Sequence, residues 1–130
     1  TEYHASAPQP EFITDRTPMC LAMYLLSYMP HNLGPKQNIA TLDYINDCYR
    51  MTEDFFSQVI VLQPGIPLVE ITDGATGSGV TTWIEKLNYL VLGLVASPQL
   101  VNCSGLVIGR EVTDLDDRLA TTVKLSRKGL

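Results

Sequence analysis

The sequence predicts a mostly helical α+β fold whose strands are confined to one hairpin near the C-terminal end. Three observations predict it. Apolar residues recur at helical spacing through most of the stretch from Pro18 to Leu92. After Gly105 the pattern changes to two strand-like runs, Leu106–Val112 and Ala120–Leu125, either side of an acidic turn, Asp114-Leu115-Asp116-Asp117. Every charge beyond Asp117 is positive: Arg118, Lys124, Arg127 and Lys128.

A chain of 130 residues suits one domain with one core. Residues 1–17, with Pro8 and Pro10 and little periodicity, read as a flexible arm, and 18–130 as the domain. No apolar run is long enough to span a membrane, the densest being Tyr89–Ala96, and the start has no secretory pattern. Three widely spaced cysteines fit a reduced, cytoplasmic protein better than a disulfide framework. Cys20, set among Met19, Leu21 and Met23, reads as a buried, inert thiol.

Pro18–Met29 is apolar around most of its circumference, which predicts a helix buried in the core or in a homodimer contact. Pro30, Gly34 and Pro35 end it. Ile39–Tyr49 carries Leu42, Ile45 and Tyr49 at helical spacing. Thr52 can cap a further helix bearing Phe55, Val59 and Leu62, broken at Gln63-Pro64-Gly65. Ile66–Asp73 reads as a short helix with Pro67 in its first turn, Gly74–Gly79 as a flexible turn, and Val80–Leu92 as a strong amphipathic helix. Short helix, turn, longer helix and two strands form the order of a winged helix-turn-helix. Two Gly-Leu-Val runs, at 93–95 and 105–107, leave open which one starts the wing.

The stretch Thr52–Leu130 resembles the MarR family of winged helix-turn-helix regulators. The resemblance is carried by Gly105-Leu106-Val107, Asp114, Asp117-Arg118 and Leu125-Ser126-Arg127-Lys128-Gly129 at the spacing of that family's wing. Pro64–Ile71 is similar to its turn and first helix, and Ser78–Leu87, with Val-Thr-Thr-x-Ile-x-x-Leu, to its recognition helix. Where the family usually places a second wing arginine, this chain has Leu119. The resemblance implies a cytoplasmic transcriptional repressor that binds double-stranded DNA as a homodimer, with room for a small-molecule effector.

In a winged helix, Ser78, Thr81, Thr82 and Glu85 would reach DNA from the recognition helix, the hydroxyls to phosphates or bases and Glu85 to cytosine N4. Arg118 would enter the minor groove from the wing tip, held by Asp114 or Asp117, while Lys124, Arg127 and Lys128 would meet phosphates. The bland reading of the same residues is a solvated surface. A net charge of −5 weighs mildly against nucleic acid.

Gly74-Ala75-Thr76-Gly77-Ser78-Gly79-Val80-Thr81 imitates a phosphate-binding loop, but Val80 stands where such a loop needs lysine, and the residues ahead of it read as helix. The expectation is a plain turn and no cofactor. His4 and His31 lie in no metal or catalytic spacing, so neither a metal site nor an enzyme is expected. Two alternatives stand beside the regulator: a winged-helix protein-interaction module of a larger assembly, and a phage or plasmid replication-initiation protein.

Overall fold

Thr17 starts the first helix. Its extended backbone and its hydroxyl, which accepts from the Met19 amide at 3.2 Å, cap α1 (Pro18–Tyr28), with Pro18 in the first turn where no amide partner is needed. The computed structural model describes residues 11–66 and 78–128, the side chains of 78–80 and 128 excepted. Met19, Ala22 and Met23 of α1 are buried against the next two helices of the chain, while Leu21 and Tyr28 are exposed. The apolar circumference is thus divided between the core and the surface. Cys20 is only half-buried, contrary to the expectation of an enclosed thiol.

α2 (Pro35–Phe55) is one continuous helix where the sequence predicts a break before Thr52. Thr52 is fully buried, and its hydroxyl donates to the Cys48 carbonyl at 2.8 Å, one turn back. A threonine satisfied in this way continues a helix instead of capping a new one.

Of the predicted helical stripe Phe55, Val59, Leu62, Phe55 ends α2, while Val59 and Leu62 belong to β1 (Gln58–Leu62). Val59-Ile60-Val61 is a β-branched run, stiff at χ1 and suited to a pleated surface, and Val59 and Val61 alternate into the core. β1 pairs in parallel with β2 (Ser104–Ile108), in register from Gln58 opposite Ser104 to Leu62 opposite Ile108. Parallel neighbours need a crossover, and α3 (Ser78–Val95) lies within it. The predicted helix at Val80–Leu92 is therefore present and longer. The Gly-Leu-Val at 93–95 belongs to α3, and the one at 105–107 to β2. The short helix expected at 66–73 and the turn at 74–79 fall largely outside the described residues.

The C-terminal region departs most from expectation. Residues 115–128 form α4 (Leu115–Lys128), so the predicted wing strand Ala120–Leu125 is helical, and β2 ends at Ile108. The acidic cluster acts as a helix start. Asp114 Oδ1 accepts from the Asp116 amide at 3.2 Å, its carbonyl accepts from the Arg118 amide at 3.0 Å, and Asp116 and Asp117 sit in the first turn, where the helix dipole favours negative charge. Thr121 and Thr122 donate their hydroxyls to the carbonyls of Asp117 and Arg118, which accommodates both within the helix. What stands on the described residues is a mixed α+β fold with four helices and a two-stranded parallel sheet. No helix among them is long and apolar enough to cross a membrane.

The core joins α1, the C-terminal half of α2, β1, the end of α3 and the entry to β2 through Met19, Ala22, Met23, Cys48, Tyr49, Val59, Val61, Leu94, Val95 and Cys103. Two polar ties set its geometry. The Tyr49 hydroxyl donates to the Leu94 carbonyl at 2.6 Å, satisfying an acceptor near the end of α3. Glu53 accepts from the amides of Asn102 and Cys103 at 2.8 and 3.2 Å, which holds the entry to β2. Gly105 is required next to this point, because a Cβ there would lie 2.5 Å from Val95 Cγ1 and 2.9 Å from the Val95 carbonyl oxygen.

Tyr49→Phe removes the shorter of two hydrogen bonds to the Leu94 carbonyl, the one from the Ser97 amide at 3.3 Å remaining. It is expected to lower stability by about 0.5–1.5 kcal/mol, read from the urea unfolding midpoint with an unchanged slope. Burial, followed by the charge of Glu53, pushes the Cys103 thiol up to about 11. A raised thiol value stabilises the fold fully below the unfolded value of about 8.5 and is lost as pH rises through the folded one. Cys103→Ala should therefore flatten the alkaline limb of a stability-versus-pH curve.

Candidate functional site

In sheets of parallel strands, ligands gather outside the carboxyl ends of the strands. Here those ends are Leu62-Gln63 of β1 and Ile108-Gly109 of β2. The Gln63 amide donates to the Ile108 carbonyl at 3.0 Å, carrying the pairing one residue further. Beyond them run two loops, 63–66 and 109–114, and Arg118 braces both.

Arg118 is the buried cation of this region, 8 % exposed. Its Nε donates to the Val112 carbonyl at 2.5 Å, and Nη2 to the Gly109 carbonyl at 3.4 Å. A Cβ on Gly65 would lie 2.0 Å from Nη2 and 2.7 Å from the Arg110 carbonyl oxygen, so only glycine lets the first loop cross the guanidinium. A buried guanidinium must be surrounded by acceptors, and here backbone carbonyls supply them. This corrects the expectation of a wing-tip arginine free to enter a groove. The helix placed after Asp114 turns the side chain inward, and Asp114 and Asp117 cap and line that helix.

Glu85, expected on a base edge, is also engaged. It forms a fork with Arg110, with Nη1 to Oε1 at 3.1 Å and Nη2 to Oε2 at 2.9 Å. The guanidinium hydrogen bond, before its charge alone, holds the Glu85 carboxyl below its ordinary range. The pair joins α3 to the loop after β2. Lys86 donates to the Ser27 carbonyl at 2.8 Å and lies over the Trp83 ring, whose centroid is 5.4 Å away, so it caps the C-terminal end of α1. Thr81 and Thr82 are exposed at the start of α3, and the Ser78 side chain lies outside the described residues. Lys124 and Arg127 are exposed on α4, and the Lys128 side chain lies outside the description. The structure thus brings Glu85 and Arg118 to the carboxyl ends, both as braces, and leaves the lysine and arginine of α4 apart from them.

One residue that the sequence offered only as a polar position of the Val80–Leu92 helix, and not as a site residue, belongs here. Asn88 of α3 is 5 % exposed, and neither its Oδ1 nor its Nδ2 has a hydrogen-bond partner. It lines a cavity of about 190 Å³ with Met23, Leu62, Pro64, Ile84, Leu87 and Val91. An unpaired amide on apolar walls is costly, which marks the cavity as a place where a ligand's donor and acceptor would be rewarded. The signal in the sequence was its position, one helical turn after Ile84 and just short of one turn before Val91. Among the described residues no three His, Cys, Asp or Glu side chains are grouped to hold a metal ion.

Comparison with protein-family models, with curated proteins and with solved structures finds no match to the chain.

Arg118→Leu removes both donors while keeping an apolar stem, and should cost about 2–3 kcal/mol in chemical unfolding. Glu85 and Glu53 both have lowered carboxyl values, Glu53 chiefly from the Asn102 amide. Their contribution is present above the unfolded value of about 4.3 and is lost as pH falls through the lower folded value. Glu85→Gln and Glu53→Gln should each flatten the acid limb of the stability curve below about pH 4.3.

Proposed function

We propose that this chain is a nucleotide-binding protein that does not catalyse phosphoryl transfer. One observation carries the reading: β1 and β2 are parallel neighbours joined across α3, and the sequence Gly74-Ala75-Thr76-Gly77-Ser78-Gly79-Val80-Thr81 lies between β1 and the body of α3. β1 ends at Leu62, twelve residues before Gly74, and 67–77 lie outside the described residues, so the support is order along the chain: strand, glycine-rich segment, helix, the order in which backbone amides and a helix N-terminus attract phosphates. Gly74, Gly79 and Thr81 stand at the spacing such segments use, with Thr81 at the position whose hydroxyl meets a magnesium ion. The sequence alone argued for a plain turn because Val80 stands where lysine is needed and because the residues ahead of the segment read as helix; the support added is a parallel strand pair joined across α3. Asn88 supports the reading, since one amide can pair with the adjacent donor and acceptor of an adenine edge.

Val80 accounts for the absence of catalysis in this reading. It carries no ammonium group to hold the terminal phosphates or to offset charge developing on them. Binding is then by neutral amides and is weaker than in a loop with lysine. The test is fluorescence anisotropy of a labelled adenine nucleotide with magnesium against the full chain. Wild type is expected to bind weakly, Val80→Lys to bind about tenfold more tightly, and Asn88→Leu to bind less. Absence of binding by both wild type and Val80→Lys would overturn the reading.

A second reading keeps the regulator: a double-stranded DNA-binding protein acting as a homodimer, without the expected wing. The observation that favours it is the exposed pair Lys124 and Arg127, three residues apart on one side of α4. In this reading phosphate contact moves from a wing to that helix, with Thr81 and Thr82 exposed on α3 as further hydroxyl donors. Binding to a mixed-sequence duplex should then fall steeply with salt. The double variant Lys124→Ala/Arg127→Ala should reduce the slope of log K against log salt by about two. A wild-type chain that ignores duplex DNA at the lowest salt removes this reading.

A further inference from the structure

A second cleft lies on the opposite side of α1 from the Asn88 cavity, between residues 11–17, the start of α1 and the end of α2. It has a volume of about 460 Å³ and is walled by Phe12, Leu21, Met51, Phe55 and Phe56, with Cys20 among them. Phe12 and Phe56 meet edge to face with ring centroids 5.5 Å apart. The walls are far from covered: Phe12, Leu21 and Phe55 are 59 %, 53 % and 65 % exposed. A contiguous apolar surface of this kind, concave and of this size, is the ordinary form of a small-molecule site.

Its polar group is a cation. Arg16 lines the same cleft, donates from Nη1 to the Tyr24 hydroxyl at 3.1 Å, and lies with Cζ 5.8 Å from the Tyr24 ring centroid. That hydrogen bond is the first cause of the raised Arg16 value, and it holds the guanidinium in one place at the rim. A guanidinium carries five donors in a plane, so a fork remains for a planar anion after Tyr24 has taken one.

We propose that this cleft binds a monocarboxylate with an apolar tail. The tail lies along the phenylalanines and Leu21, and the carboxylate takes two parallel hydrogen bonds from Arg16. The net charge of −5 works against non-specific adsorption of anions, so capture depends on this fixed fork. The inference is independent of the nucleotide reading, since the two sites share no residue.

Cys20 serves as the reporter. It is half-buried and lines the cleft, while Cys48 and Cys103 are buried elsewhere. Alkylation of Cys20 in the native full chain is followed by intact mass in the presence of decanoate, decanol or decyltrimethylammonium. Decanoate should slow labelling about fivefold or more and saturably, with decanol weaker and the cation without effect. Arg16→Gln, which keeps the stem at the rim, should weaken the decanoate effect about tenfold, each variant being referred to its own labelling rate without ligand because Arg16 also interacts with the Cys20 thiol. Three results each overturn the proposal: no protection by decanoate up to its solubility limit; equal protection by decanol, or protection undiminished in Arg16→Gln; and protection that rises with protein concentration alone together with dimer in sedimentation, which assigns the cleft to a second copy of the chain.

Discussion

Two strands that run side by side in the same direction cannot be joined by a turn, so the chain must leave the end of one and return to the start of the other. In this protein that requirement follows from the pairing of Val59, Ile60 and Val61 with Gly105, Leu106 and Val107. It makes α3 the crossover element and brings the ends of α2 and α3 together. There Tyr49 and Glu53 find the carbonyl of Leu94 and the amides before β2. It also puts the carboxyl ends of both strands on one side, with the loops that follow them. Had the strands been a hairpin, none of these groups would share a neighbourhood.

The same constraint determines what the basic C-terminal residues can do. Leaving β2 at Ile108, the chain turns in a short loop and returns along the sheet as α4, whose Leu125 carbonyl accepts from the Gln58 side chain at the start of β1. Arg118 faces the loops because its helix packs that way, and a cation facing protein must be met by acceptors. The carbonyls of Gly109 and Val112 meet it. A charge that would attract DNA on a surface becomes a brace when buried, and its place in function passes from contact to support. Glu85 undergoes the same change through Arg110. Groups with polar capacity still to give are fewer and less conspicuous: an amide at Asn88 among apolar side chains, and a guanidinium at Arg16 beside one phenol.

Helices that bury a stripe were legible in the sequence because their period is local. Pro18–Tyr28 and Ser78–Val95 were predicted nearly to their ends, as Pro18–Met29 and Val80–Leu92, since proline and apolar spacing mark them. The site was legible only in fragments. Glu85 and Arg118 were picked out as charged residues in a suggestive order, and both do lie at the carboxyl ends of the strands, yet their partners Arg110, Gly109 and Val112 could not be inferred from order. Asn88 stood out only as a polar position of the Val80–Leu92 helix, because nothing in its neighbours in sequence says that its amide is left unpaired.

By itself the sequence determined the mixed α+β class, the first and third helices, and the chemistry on offer: a glycine-rich segment without lysine, scattered carboxylates and a basic end. Tertiary structure alone decided three things. The run after Thr52 became a strand, because β-branched residues were paired with a partner 46 positions away. The acidic cluster at Asp114 became a helix cap and not a turn, because residues 115–128 run back along the sheet, from the loops braced by Arg118 to Gln58 at the start of β1. Arg118 went inward. The physical reason is common to all three: a short segment's choice between helix and strand is worth a few tenths of a kcal/mol per residue, and burial against a distant partner outweighs it.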